Sequence, residues 1–209
     1  MSRAESRVVG LFLGVVCPAS LFVLWWWTAA ALAIYRLLPI PESGIALAAF
    51  AGLGIGVALD AFCLKRWIAR FYGADVRLAV LVYLFWSAVA VALCMGLPFG
   101  NIALGILAGV YVGRRHYHAG ASEEAFTRAA RHSSIFVGLV TGAEAFLIGL
   151  FGLREEFIVD ALRAGVGLDQ SVVTGPIGVG LVGVVCVVLV AVQFWCTKAA
   201  ARIAFRTQT

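Results

Sequence analysis

Charge is scarce in this chain. Asp, Glu, Lys and Arg make up 13% of its 209 residues, about half the roughly 25% of an ordinary soluble domain. Hydrophobic residues reach 63%, where soluble domains hold about 45–50%, and the mean hydropathy is +1.00. No soluble core of this length can hide that much apolar surface, so lipid must be part of the solvent. A sizeable extramembrane domain is excluded as well. The expected architecture is a single all-α membrane domain over residues 1–209.

Other shortages exclude chemistries. Three histidines are too few for a histidine-rich di-iron membrane site. The five cysteines, Cys17, Cys63, Cys94, Cys186 and Cys196, lie in or beside apolar runs, and none forms a C-x-x-C pair. They suit small apolar packing roles, not a disulfide framework or a zinc site. A nucleophile elbow, a paired-histidine zinc motif and a phosphate-binding loop are all missing from the sequence. Neither a cofactor nor a metal is expected, and an enzyme is the less favoured class. The net charge of +5 comes from basic residues flanking apolar runs, with no long basic tract. Nucleic acid is therefore not expected as a partner, and the lipid bilayer is.

Apolar runs are what the chain has in abundance. Arg3 and Arg7 precede a run from Val8 to Trp27, and Ala29, Ala30 and Ala31 imitate a cleavage site. The run exceeds the usual signal core of about 7–15 residues, so it reads as a retained span. Hydropathy predicts about six transmembrane helices, near residues 8–28, 44–64, 78–96, 99–115, 133–153 and 173–197. Pro18 interrupts the first, and Pro39-Ile40-Pro41 ends it. The fourth is short, and a full crossing is favoured over a re-entrant loop. Between spans four and five, Ser122 is placed to cap a short surface helix. Arg154 to Gln170, with Phe157, Ile158, Ala161 and Leu162 at helical spacing, reads as an outer surface helix.

Basic residues set the orientation. With the N-terminus inside and every segment crossing once, thirteen of the sixteen fall on the inner side: Arg3, Arg7, Lys65, Arg66, Arg70, Arg77, Arg114, Arg115, Arg128, Arg131, Lys198, Arg202 and Arg206. Arg36, Arg154 and Arg163 fall outside. This positive-inside bias predicts both termini in the cytoplasm and a multi-pass inner (plasma) membrane protein.

Small residues recur every four positions in two spans, as Ala48, Gly52, Gly56 and Asp60, and as Asn101, Gly105, Gly109 and Gly113. Such stripes let helix backbones approach closely. Close packing within the chain is the plainer use. Docking of another membrane protein, or self-association through Gly52 and Gly56 or Gly105, Gly109 and Gly113, is the other.

Glu144 is the most informative single residue. A carboxyl at the depth of span five costs roughly 2.5–3.5 kcal/mol on insertion scales and normally faces a cavity or a partner. Proton exchange during a working cycle is one role. A structural hydrogen bond, with Thr141 one turn earlier as the nearest partner, is the other. Asp60 and Asn101 are the further pathway candidates, although Asp60 is close enough in sequence to Lys65 and Arg66 for a simple interfacial ion pair. Arg114, Arg115, His116 and His118 form the densest polar cluster, suited to an anionic lipid headgroup or an anionic substrate. A transporter, channel or transport-system subunit with Glu144, Asp60, Asn101 and Thr141 on its pathway is the leading expectation. An enzyme acting on a lipid or anionic group at the cytoplasmic face, and a non-catalytic accessory subunit, are the alternatives.

Overall fold

In a computed structural model of the chain, residues 1–94, 100–152 and 176–207 are described. Every long element among them is helical, and no strand occurs there. Six helices follow one another: α1 (Arg3–Ile34), α2 (Glu42–Arg70), α3 (Val76–Leu93), α4 (Gly100–His118), α5 (Glu123–Gly152) and α6 (Pro176–Arg206), with a 3₁₀ turn at Phe71–Gly73. Five are long and apolar enough to cross a membrane, α4 not being among them. Its final turns carry Arg114, Arg115, His116 and His118, which shorten its apolar stretch. The expected outer surface helix over Arg154 to Gln170 lies outside the described residues.

The chain divides into two compact units, Met1–Ala74 and Asp75–Gln208. The first is an antiparallel hairpin of α1 and α2. Ser2 caps α1 by accepting a hydrogen bond from the Glu5 N–H at 3.2 Å, and the helix runs through Pro18 without a break. It stops at Ile34, before the prolines that were expected to end it. Arg36 takes a left-handed conformation there (φ 54°), and the Leu37 N–H reaches back to the Leu32 carbonyl at 3.0 Å. That six-to-one bond is a helix-terminating device.

The glycine stripe of α2 seats α1. A β-carbon on Gly52 would stand 2.5 Å from the Leu21 carbonyl and 2.9 Å from Trp25, and one on Gly56 would collide with the Pro18 backbone. Large apolar side chains are exposed on its outer surface, among them Leu47 (70% exposed), Val57 (55%) and Phe62 (87%). Small residues inside and large apolar ones outside is the arrangement of helices bathed in lipid.

The second unit contains α3 to α6. Asp75 caps α3 through the Arg77 N–H. Helices α4 and α5 join at a turn where Gly120 adopts φ 61°. Ser122 caps α5, as its position suggested, and accepts from the Ala125 N–H at 3.3 Å. The helix it starts is not a short surface piece. It continues for 30 residues to Gly152, because neither proline nor glycine interrupts the sequence between Glu123 and Val137.

Helix α6 is the common wall of this unit, packing on both α4 and α5. A β-carbon on Gly109 would strike the Thr197 carbonyl, and one on Gly113 the Ala201 carbonyl. On the α5 side, one on Gly142 would stand 2.5 Å from Val190. At the helix ends Phe126 and Phe205 stack in parallel with centroids 4.0 Å apart. They form a small apolar cluster with Ala130 and Ala201.

Candidate functional site in the C-terminal bundle

Burial in this unit runs opposite to that of a soluble protein. Ser87, Asn101, Ser134, Thr141, Gln193 and Thr197 are each 0% exposed, while Leu139, Val187 and Trp195 are 64–69% exposed. The polar side chains come from all four helices. Tyr83 and Ser87 lie one turn apart on α3, Asn101 opens the glycine stripe of α4, Thr141 and Glu144 share a face of α5, and Gln193 and Thr197 lie one turn apart on α6.

Glu144 is the half-buried hub of a hydrogen-bonded group. The Ser87 hydroxyl stands 2.9 Å from both carboxylate oxygens. The Asn101 amide donates to Glu144 Oε2 and, at 2.9 Å, to the Ser87 hydroxyl. Both amide protons of Asn101 are thus committed, and Ser87 accepts from one partner while donating to the other. From α6, the Gln193 amide donates to the Asn101 backbone carbonyl at 2.6 Å. Gly105 makes that reach possible, since a β-carbon there would collide with the Gln193 amide and stand 2.8 Å from the Thr197 hydroxyl.

Around this group are buried oxygens without partners. The Tyr83 and Thr141 hydroxyls, the Asn101 and Gln193 amide oxygens and the Thr197 hydroxyl form no hydrogen bond among the described residues. The Tyr83 hydroxyl lies near Glu144 and close to the polar groups of Thr141, Gln193 and Ser87, near enough for weak hydrogen bonding but without the geometry of a full bond. Local bonding was open to both threonines. Ser134 illustrates it by donating to the carbonyl four residues earlier at 2.8 Å, as do Ser20 and Thr28 in α1. Thr141 and Thr197 do not. Each unpaired buried group costs about 1–3 kcal/mol. Several in one place make this cluster the candidate site of the chain.

Three expected pathway residues, Asn101, Thr141 and Glu144, therefore fall in one cluster. Thr141 is not the structural partner of Glu144; Ser87 and Asn101 are. Asp60 belongs to the N-terminal unit. It is 8% exposed beside the Cys17 thiol, and its Oδ1 has no partner among the described residues. The expected ion pair with Lys65 or Arg66 does not form there, because those residues lie roughly 140° and 240° further round the helix, off its buried face. Tyr83, Ser87, Gln193 and Thr197 were not anticipated. Their signal was a pair of polar residues one turn apart in an otherwise apolar helix, with Gln193 the sole amide between Val182 and Thr197.

The basic residues at the end of α4 make separate contacts within the chain. Arg114 is 9% exposed, donates to the Thr207 carbonyl at 2.9 Å and lies over the Tyr117 ring. A cation at the carboxyl end of α6 is favourably placed against the helix dipole. Arg115 reaches the Tyr111 hydroxyl, and His116 Nδ1 lies 2.9 Å from the Val112 carbonyl of its own helix. His118 is exposed. No grouping of three metal-binding side chains occurs among the described residues.

No protein-family model, curated protein or solved structure matches this chain.

Proposed function

We propose that this is a six-span inner-membrane protein with both termini in the cytoplasm, acting as a small transporter or channel, or as the membrane subunit of a transport system. The polar interior of α3 to α6 is its pathway, and Glu144 is the residue that responds to the passing solute. One observation carries this reading: a carboxyl held by Ser87 and Asn101 amid five buried oxygens that lack partners among the described residues. A bundle built only for stability would fill these positions with apolar side chains of the same shape, at little or no cost. The thirteen-to-three basic asymmetry supports the orientation. As a helix of 19 residues, α4 rises about 28 Å, enough for a thin crossing with its basic end at the headgroups.

The enzyme reading draws less support, since Arg114 and His116 already serve neighbouring backbone carbonyls. Docking through glycines also draws less, since Gly52, Gly56, Gly105, Gly109 and Gly113 meet helices of their own chain.

Access tests the proposal. In a cysteine-free background, Thr141→Cys and Ser87→Cys in sealed vesicles should react with small membrane-impermeant cationic thiol reagents from an aqueous side. Silence of both positions from both sides, in protein that folds, would show a sealed interior and remove the pathway.

A further inference from the structure

Glu144 forms no ion pair among the described residues, since the only cation–carboxylate contact recorded between them in this unit joins Arg206 and Glu123 at 3.7 Å. Its surroundings are neutral: Ser87 on α3 and Asn101 on α4 bond the carboxylate, and Tyr83 lies near it, itself within reach of Thr141 on α5 and Gln193 on α6. Of these only Tyr83 is titratable. The cluster therefore carries one negative charge at most, and a low-dielectric interior makes a lone ionised carboxyl costly. One positive charge balances it, whereas a divalent ion would leave a charge uncompensated.

A proton supplies that charge but bonds one carboxyl oxygen and leaves the other groups as they are. The unpaired atoms here are all oxygens: two amide carbonyls and three hydroxyls. Hard metal cations gather several oxygen ligands at once. Size narrows the class further. Thr141, Asn101, Gln193 and Ser87 are 0% exposed, so a water-sized sphere touches none of them, which favours a bare ion smaller than water over ammonium or an organic cation.

We infer that the C-terminal bundle binds one small alkali-metal cation at Glu144, with Tyr83, Thr141 and Gln193 as neutral oxygen ligands. The inference rests on the pathway reading and names its ion. One such cation balances the charge of the ionised carboxylate, and no other group in the cluster need change charge.

The experiment is thermal unfolding of the purified full chain in detergent at slightly alkaline pH, titrated with lithium, sodium, potassium, ammonium or choline chloride at constant ionic strength. Sodium or lithium should raise Tm by about 3 °C for each tenfold increase above its dissociation constant. Choline should give no rise, and potassium and ammonium a smaller one. Glu144→Gln, of matched size, should abolish the sodium-dependent shift, and Thr141→Val should move its onset at least about tenfold higher in concentration. Tm values identical in sodium, lithium and choline would overturn the cation site, as would a sodium shift that survives both substitutions. A response to ammonium alone would overturn the assignment to a metal ion. Loss of the cation effect with thiol access intact leaves a pathway for another solute. A cation effect without thiol access leaves a static bound ion and removes the pathway instead.

Discussion

Gly109 of α4 lies so close under the Thr197 carbonyl of α6 that its missing side chain is the space the other helix occupies. Backbone cannot rotate aside as a flexible side chain can, so any larger residue must push the helices apart. Gly109→Leu is expected to cost about 1–3 kcal/mol through overpacking and to lower Tm in detergent. An unchanged Tm would show that this face of α4 does not carry α6.

Glu144→Gln separates a responsive carboxyl from a structural one. The amide keeps the size and can still accept from Ser87 and Asn101, so folding should survive with less than about 1.5 kcal/mol lost. Vesicle flux of the transported ion, or its pH dependence, should be lost, because the amide neither ionises nor exchanges a proton. A Gln variant with unaltered flux and pH profile would leave Glu144 as a packing residue.

Thr141→Val and Thr197→Val test the unpaired hydroxyls by stability alone. Each exchange removes a buried group that has no hydrogen-bond partner among the described residues and nearly preserves shape. In choline buffer free of alkali-metal ions both variants should be as stable as the parent, or more stable by up to about 1–3 kcal/mol. Clear destabilisation would mean that these hydroxyls hold structural bonds.

Of the basic residues closing α4, Arg114 is expected to matter for folding. Arg114→Met keeps much of the side-chain volume and loses the charged bond to the Thr207 carbonyl, worth about 1.5–3 kcal/mol. Hydrogen exchange should quicken selectively in the last turn of α6. Equal protection there in both proteins would assign Arg114 to the lipid surface instead.

How much of this was legible in the sequence depended on range. Local signals held: Ser122 caps a helix, and the small-residue stripes at Gly52 and Gly56 and at Gly105 to Gly113 mark buried faces, because both follow from helical period alone. Several helices run on past the apolar stretches that define the expected spans. Hydropathy stops at the first charged residue, whereas α2 continues through Lys65, Arg66 and Arg70, and α6 through Lys198 and Arg202. At the site, Glu144 stood out because a carboxyl is conspicuous in an apolar run. Ser87 and Gln193 did not, since a hydroxyl or an amide is tolerated on many faces. Their meaning came from which helices meet, and α6 meets α4 across 92 residues of chain at Gln193 and Asn101. For Asp60 one of the two alternatives fell away for the converse reason. Proximity in sequence to Lys65 and Arg66 suggested a pair that helical rotation rules out.

The seating of α6 on α4 also has a mechanical consequence. The stretch of α6 that rests the Thr197 carbonyl on Gly109 also lays the Gln193 and Thr197 side chains over Gly105 and so carries them to the polar cluster. A slip of one residue along α4 would shift these side chains about 1.5 Å and turn them about 100°, breaking the seam and the cluster together. Helices α4 and α6 therefore behave as one stiff beam. Ser87 and Glu144 arrive from α3 and α5, and no glycine of either helix meets backbone of α6 closer than 3.5 Å. Helix α3 packs chiefly on α4, so its displacement would leave the glycine seam between α4 and α6 as a fixed frame.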